Sequence, residues 1–207
     1  MFAEPAPGEG RRGSFRGLGS TLLQSLLVPV ALVAVLWSIE VLDVVLPGDW
    51  ERFGIIPRTQ TGLRGIVAAP LLHDDWAHLL GNSIPLIILG FLLATAGLRT
   101  FTLVTGLIWI VAGVGVWLFA GPFTVHIGAS SIVFGWIAYL VTRGVFTRSP
   151  GQIAVGVAVL AVYGTTLLGV LPGQPGVSWQ GHLFGAIAGL AAAWTLSERP
   201  RPLRSVQ

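Results

Sequence analysis

Six apolar runs of near-membrane length divide the chain, and the breaks between them together with its two ends carry almost all of its charge. The runs cover residues 22–46, 77–98, 101–120, 123–142, 153–171 and 177–196. About 20 uncharged, mainly apolar residues cross a hydrocarbon core as a helix, because only a helix satisfies every backbone group from within its own segment. The pattern predicts an all-α, polytopic membrane protein with six transmembrane helices. Residues 1–20, rich in Gly, Pro and Arg, read as a disordered cytoplasmic tail. Residues 21–197 form the membrane domain, and 198–207 a second cytoplasmic tail. One connection is long, 47–75, where Trp50, Phe53, Ile55, Ile56 and Leu63 mix with charged residues. Its apolar part, 66–72, is too short to span, so the connection is expected to lie in the outer interface.

Composition narrows the class. Hydrophobic residues make up 53% of the chain and charged ones only 10%, outside the usual range of soluble domains. The 28 glycines suit a membrane bundle, where small residues let helix backbones approach. With no cysteine, thiol catalysis and zinc–thiolate sites are excluded. All 12 basic residues are arginines scattered between spans, which argues against a nucleic-acid partner. The first run is too long for a signal peptide and reads as a retained span.

Arginine also sets orientation. Arg11, Arg12, Arg16, Arg99, Arg143, Arg148, Arg199, Arg201 and Arg204 fall on one side of a six-span chain, and only Arg52, Arg58 and Arg64 on the other. The positive-inside rule then places both termini in the cytoplasm of a multi-pass plasma-membrane protein. His78, Asn82, Ser130 and His182 consequently share one depth, near the outer ends of spans two, four and six.

Those residues are the candidate chemistry, since polar side chains within membrane helices are costly unless they partner one another. No Asp or Glu lies between Trp76 and Ser197, so a Ser-His-Asp triad cannot form inside the bundle. A Ser130–His182 dyad can, with neutral imidazole accepting the hydroxyl proton. Gly181, Gly185 and Gly189 make a small-residue stripe, and Ser131, Gly135 and Ala138 make another, which would let spans four and six cross closely. His78 and Asn82, spaced i, i+4, share one helix face and can both donate hydrogen bonds. With the free amides of a helix starting at Ser130, they describe an oxyanion hole. Singly, each feature has a bland reading: a membrane serine usually bonds its own i−4 carbonyl, and glycine stripes are mostly packing devices. His126 is expected in an outer loop, in a solvated or capping role. A transporter or channel is disfavoured by the lack of charge within spans two to six. No His-Glu-x-x-His is present, and neither metal nor cofactor is called for.

These residues resemble the rhomboid family of intramembrane serine proteases. The likeness runs over about residues 62–196 through three motifs: His78-x-x-x-Asn82, Gly128-Ala129-Ser130, and His182-x-x-Gly185-x-x-x-Gly189. It implies a six-helix rhomboid-like bundle with a water-filled pocket open to the outside, where a serine cleaves transmembrane protein substrates drawn from the surrounding lipid. Ser130 would be the nucleophile and His182 the base, with the Ser130 N–H, His78 and Asn82 holding the oxyanion. His73 matches a family histidine five residues before the first motif, and Phe134, Gly128 and Gly185 would support the site. Span five would be the lateral gate. Two departures stand out: Ser131 replaces the motif glycine, and Phe134 stands where bacterial members have tyrosine. Ser131 keeps a second reading open, a catalytically inactive relative that binds client transmembrane helices.

Overall fold

The structure, a computed structural model, describes residues 9–196, with 9–20 described by backbone alone. Seven α-helices follow in order: α1 Glu9–Val45, α2 Gln60–Ala68, α3 Trp76–Ala94, α4 Leu98–Phe119, α5 Ser130–Thr147, α6 Pro150–Tyr163 and α7 Trp179–Leu196. Short 3-10 segments occupy Glu51–Phe53, Ala69–Leu71 and Gly164–Val170. Among the described residues, five stretches are long and apolar enough to cross a membrane: Thr21–Val45, Trp76–Ala94, Leu98–Phe119, Ser130–Thr147 and Pro150–Val170. The sixth expected span, α7, has 18 residues. Its first turn, Trp179-Gln180-Gly181-His182, is too polar for it to join them on hydropathy.

Several expected boundaries move. The fourth run was expected to be helical from residue 123, but α5 begins at Ser130. Phe123 and Gly128 both have positive φ, 63° and 102°, and His126 exchanges two backbone hydrogen bonds with Ile55 (2.9 and 3.0 Å). Hydropathy cannot register such an extended apolar segment. The second run stops at Ala94 rather than 98, where Gly97 at φ 100° breaks the path. Residues 9–20, part of the N-terminal tail in the sequence reading, are helical in continuity with α1. The rest of that tail, and 198–207, lie outside the described residues.

The connection between α1 and α3 is bolted to α4 rather than simply resting at an interface. Trp109 Nε1 donates to the Ile66 carbonyl (2.9 Å) and Trp117 Nε1 to that of Thr59 (2.8 Å). Arg58 donates to the carbonyls of Leu118 and Ala120 (3.0 and 2.8 Å), capping the end of α4. Thr59 caps α2 in turn, accepting from the Gly62 N–H at 3.0 Å. On the opposite side α1 leans on α3, with Trp37 Nε1 donating to Ser83 Oγ (3.0 Å).

The centre of the bundle is the crossing of α5 and α7. A Cβ at Gly185 would fall 2.2 Å from the Ser131 carbonyl oxygen, and one at Gly189 would fall 1.9 Å from that of Gly135. The helices therefore touch backbone to backbone. Beside them Trp136, Tyr139, Ile108 and Leu79 are fully buried, and Trp136 Nε1 donates to Thr105 Oγ1 (3.1 Å). By contrast, α6 buries only Gly156 and Val159.

Gly185→Val should accordingly destabilise the bundle by about 3 kcal/mol or more, since the obstruction is backbone and cannot swing away. Gly106→Ala, where a Cβ meets nothing within 4 Å, is the control and should melt like wild type. Equal melting temperatures for the two variants in detergent would contradict this crossing.

Candidate active site

Residue chemistry explains why Ser130 and His182 meet. Gly128 turns the chain with positive φ, and Ala129 serves as N-cap, so Ser130 is the first residue of α5. Its amide lies among the first-turn N–H groups that have no intrahelical acceptor. The glycine crossing brings α7 within reach, and His182 Nε2 lies 2.8 Å from Ser130 Oγ. The other ring nitrogen, Nδ1, is 2.9 Å from the Gly169 carbonyl. A carbonyl only accepts, so Nδ1 carries the proton, and in the neutral ring Nε2 is the bare nitrogen. Ser130 O–H therefore donates to His182, the arrangement that activates a serine. Phe134 stacks on the imidazole with centroids 3.9 Å apart and planes 7° apart. The ring is thus held by a carbonyl at one edge and an aromatic face along its side.

The first-motif histidine reaches the same place. Gly128 leaves room for it, since a Cβ there would lie 2.6 Å from His78 Cε1 and 2.7 Å from Nε2. Asp75 caps α3 by accepting from the His78 N–H (2.7 Å). Asp74, one turn back, takes the ring: its Oδ1 is 2.5 Å from His78 Nδ1. That leaves Nε2 toward Gly128, and it must carry a proton to serve as an oxyanion donor. Burial pushes the Asp74 carboxyl up, but the hydrogen bond and charge of His78 outweigh this and hold it below its ordinary value. Asn82 is buried, and its Nδ2 donates to the His78 carbonyl (3.1 Å). One amide N–H is thereby committed, and Asn82 does not line the cavity.

That cavity measures about 680 Å³ and is lined by Asp74, His78, His126, Ser130, Ser178 and His182 among others. His126, assigned from sequence to a solvated or capping role, is part of its wall. Asp74 and the Gly169 carbonyl also went unforeseen. Asp74 sits just outside the carboxylate-free stretch, and its i, i+4 spacing to His78 was the available signal; a backbone carbonyl leaves none. Ser131 lines an adjoining hollow of about 20 Å³ with Trp109, Val116 and Gly181, and Ser130, His126 and Ser178 border both spaces. Gly185 still packs on its backbone.

His73 is buried, its ring set edge-on to His78 with centroids 5.0 Å apart. Neither of its nitrogens has a hydrogen-bond partner among the described residues.

Comparison with known proteins fits this geometry. The rhomboid domain model matches residues 60–199, from α2 through α7. The chain belongs to the rhomboid family. Uncharacterized proteins of Mycobacterium bovis and Mycobacterium tuberculosis are each 47% identical to it over 184 residues, covering 84% of this chain and 76% of the relative. An uncharacterized protein of Mycobacterium leprae is 44% identical, covering 84% of this chain and 72% of its own length. Rhomboid membership and the apolar helices make this an integral membrane protein, of a family usually composed of intramembrane serine proteases.

In this rhomboid, burial and then the charge of His78 push the His73 imidazole down to about 4 from an ordinary 6.5. Below 6.5 the unfolded chain takes up a proton that the folded one refuses, so stability falls as pH drops from about 6.5 to about 4. His73→Phe keeps a ring against His78 and removes this titration. Unfolding measured across that range should be less pH-dependent in the variant, the difference reaching about 3 kcal/mol at the acid end. Parallel profiles would refute the assignment.

Proposed function

We propose that the protein is an intramembrane serine protease that cleaves transmembrane segments of other membrane proteins. The observation that carries this is the hydrogen bond from Ser130 Oγ to a His182 whose tautomer is fixed by the Gly169 carbonyl. Ser130 Oγ attacks the scissile carbonyl as its proton passes to His182 Nε2. Negative charge then develops on the carbonyl oxygen at the start of α5, where the Ser130 N–H is available and His78 lines the cavity beside it; Asn82, one turn behind His78, joins this donor set through its second amide N–H once it turns toward the cavity. Collapse expels the amine, which takes the proton from His182, and leaves an acyl-Ser130. Water, deprotonated by the same imidazole, hydrolyses it. Asp74 orients His78, as a carboxylate orients an imidazole in other hydrolytic sites.

The reading includes six crossings, with α7 the sixth, and places both termini in the cytoplasm of a plasma-membrane protein. The cavity then opens outward, and the connection 47–75 lies at the outer leaflet. Substrates would be single-span proteins with helix-weakening small residues at that depth, because a peptide bond must leave its helix before attack. The lightly packed α6 is the proposed side of entry. An inactive relative that binds client helices is the reading to which Ser131 lends weight. The paired Ser130 and His182 favour the protease.

With a single-span reporter in proteoliposomes, Ser130→Ala and His182→Ala should each lower cleavage by about 10³-fold or more while the bundle stays folded. Asn82→Ala should reduce the rate less, since other donors remain. Near-wild-type cleavage by either dyad variant would exclude this mechanism.

A further inference from the structure

A second serine–histidine contact spans the same two segments. His126 Nδ1 lies 2.7 Å from Ser178 Oγ, and its Nε2 lies 2.8 Å from Thr124 Oγ1. Thr124 spends its own proton on the Gly121 carbonyl (2.7 Å). Its oxygen must therefore accept from His126, so Nε2 carries the proton, Nδ1 is bare, and Ser178 O–H donates to it.

The position of this contact gives it meaning. His126 stands four residues before Ser130, and Ser178 four before His182, so the two segments are joined by two rungs with the histidine and serine exchanged. Each end of the outer rung is anchored. His126 is held by its two backbone bonds to Ile55, while the Ser178 carbonyl accepts the His182 N–H (3.2 Å). The tether thus runs from Ile55 through His126 and Ser178 to the first turn of α7, and from there to the catalytic imidazole. Both residues line the cavity. Without the rung, the first turn of α7 would be tied to the segment before α5 only by the Ser130–His182 bond itself, with the crossing deeper in the bundle and the Gly169 and Phe134 contacts left to hold the ring.

We propose that His126 and Ser178 are a positioning pair that clamps the start of α7 to the segment before α5, holding His182 within hydrogen-bonding distance of Ser130. The proposal rests on the protease reading. It takes the pair to act through His182 rather than on substrate, so its loss affects turnover and not substrate affinity.

The test uses the full-length protein in detergent or proteoliposomes, as wild type, His126→Ala, Ser178→Ala and the double variant. Each single variant should lower kcat on a single-span reporter by about 10- to 100-fold, the scale expected for a small misplacement of a catalytic group, with KM within about twofold of wild type. The double variant should be no worse than the worse single one, because both remove the same bond. Independently of activity, the nitrogen NMR signal of His182 Nε2 in ¹⁵N-histidine-labelled protein should move in Ser178→Ala as the Ser130 hydroxyl withdraws. Ser178→Ala deletes one oxygen and carries the test if His126→Ala does not fold. Unchanged kcat with an unchanged His182 signal would overturn the proposal. So would a rise in KM alone, or losses that multiply in the double variant. If wild type itself cleaves nothing, the protease reading fails, while the His182 signal still decides whether the pair positions that ring.

Discussion

Everything in the site depends on two helix backbones touching. At Gly185 and Gly189 there is no room between α7 and α5 for even one methyl group. A longer separation would break the Ser130–His182 hydrogen bond and leave Nε2 of the buried His182 ring without its partner, a costly arrangement within a bundle. Glycine here is a geometric requirement of the chemistry. Lipid supplies no hydrophobic force between helices, so close backbone packing is also a main source of their association. Stability and the Ser130–His182 geometry therefore rest on the same contact.

The second constraint is the lack of any carboxylate in the helices α3 to α7. Hydrolases commonly orient their histidine with an aspartate. Here the Gly169 carbonyl and the Phe134 face perform that task, fixing the tautomer without placing a charge in the membrane. Gly169 is itself confined, since a Cβ there would come within 2.9 Å of Phe134 and 3.2 Å of His182 Nδ1. Beside the site, charge stands at the rim, where Asp74 meets His78. The polar machinery is thus graded by depth: ionised groups at the mouth, neutral hydrogen bonds within.

Much of this was legible in the residues, for physical reasons. Apolar run length marks spans because the membrane has a fixed thickness, and Ser130 and His182 were exposed as candidates because an unpaired polar group in a bundle is expensive. The glycine stripes likewise foretold which helices cross. What escaped the sequence was whatever depends on backbone conformation or loop placement. The positive φ of Gly128 shifts the start of α5 by seven residues from the expected 123, where hydropathy runs on uninterrupted. The Gly169 carbonyl has no side-chain signature. His126 does lie in the connection before α5, but its partner, Ser178, is 52 residues away, so the pairing left no local signal. The polar first turn of α7 reduces its apparent membrane character for the same reason that it matters: it carries the histidine.

The most direct test of the central claim, that His182 activates Ser130, requires no substrate. Purified protein in detergent is treated with a fluorophosphonate, and the adduct is located by peptide mass, with His182→Ala alongside. An adduct on Ser130 that is absent from the folded histidine variant is the expected result. No adduct in folded wild type, or equal labelling of the two proteins, would contradict the account.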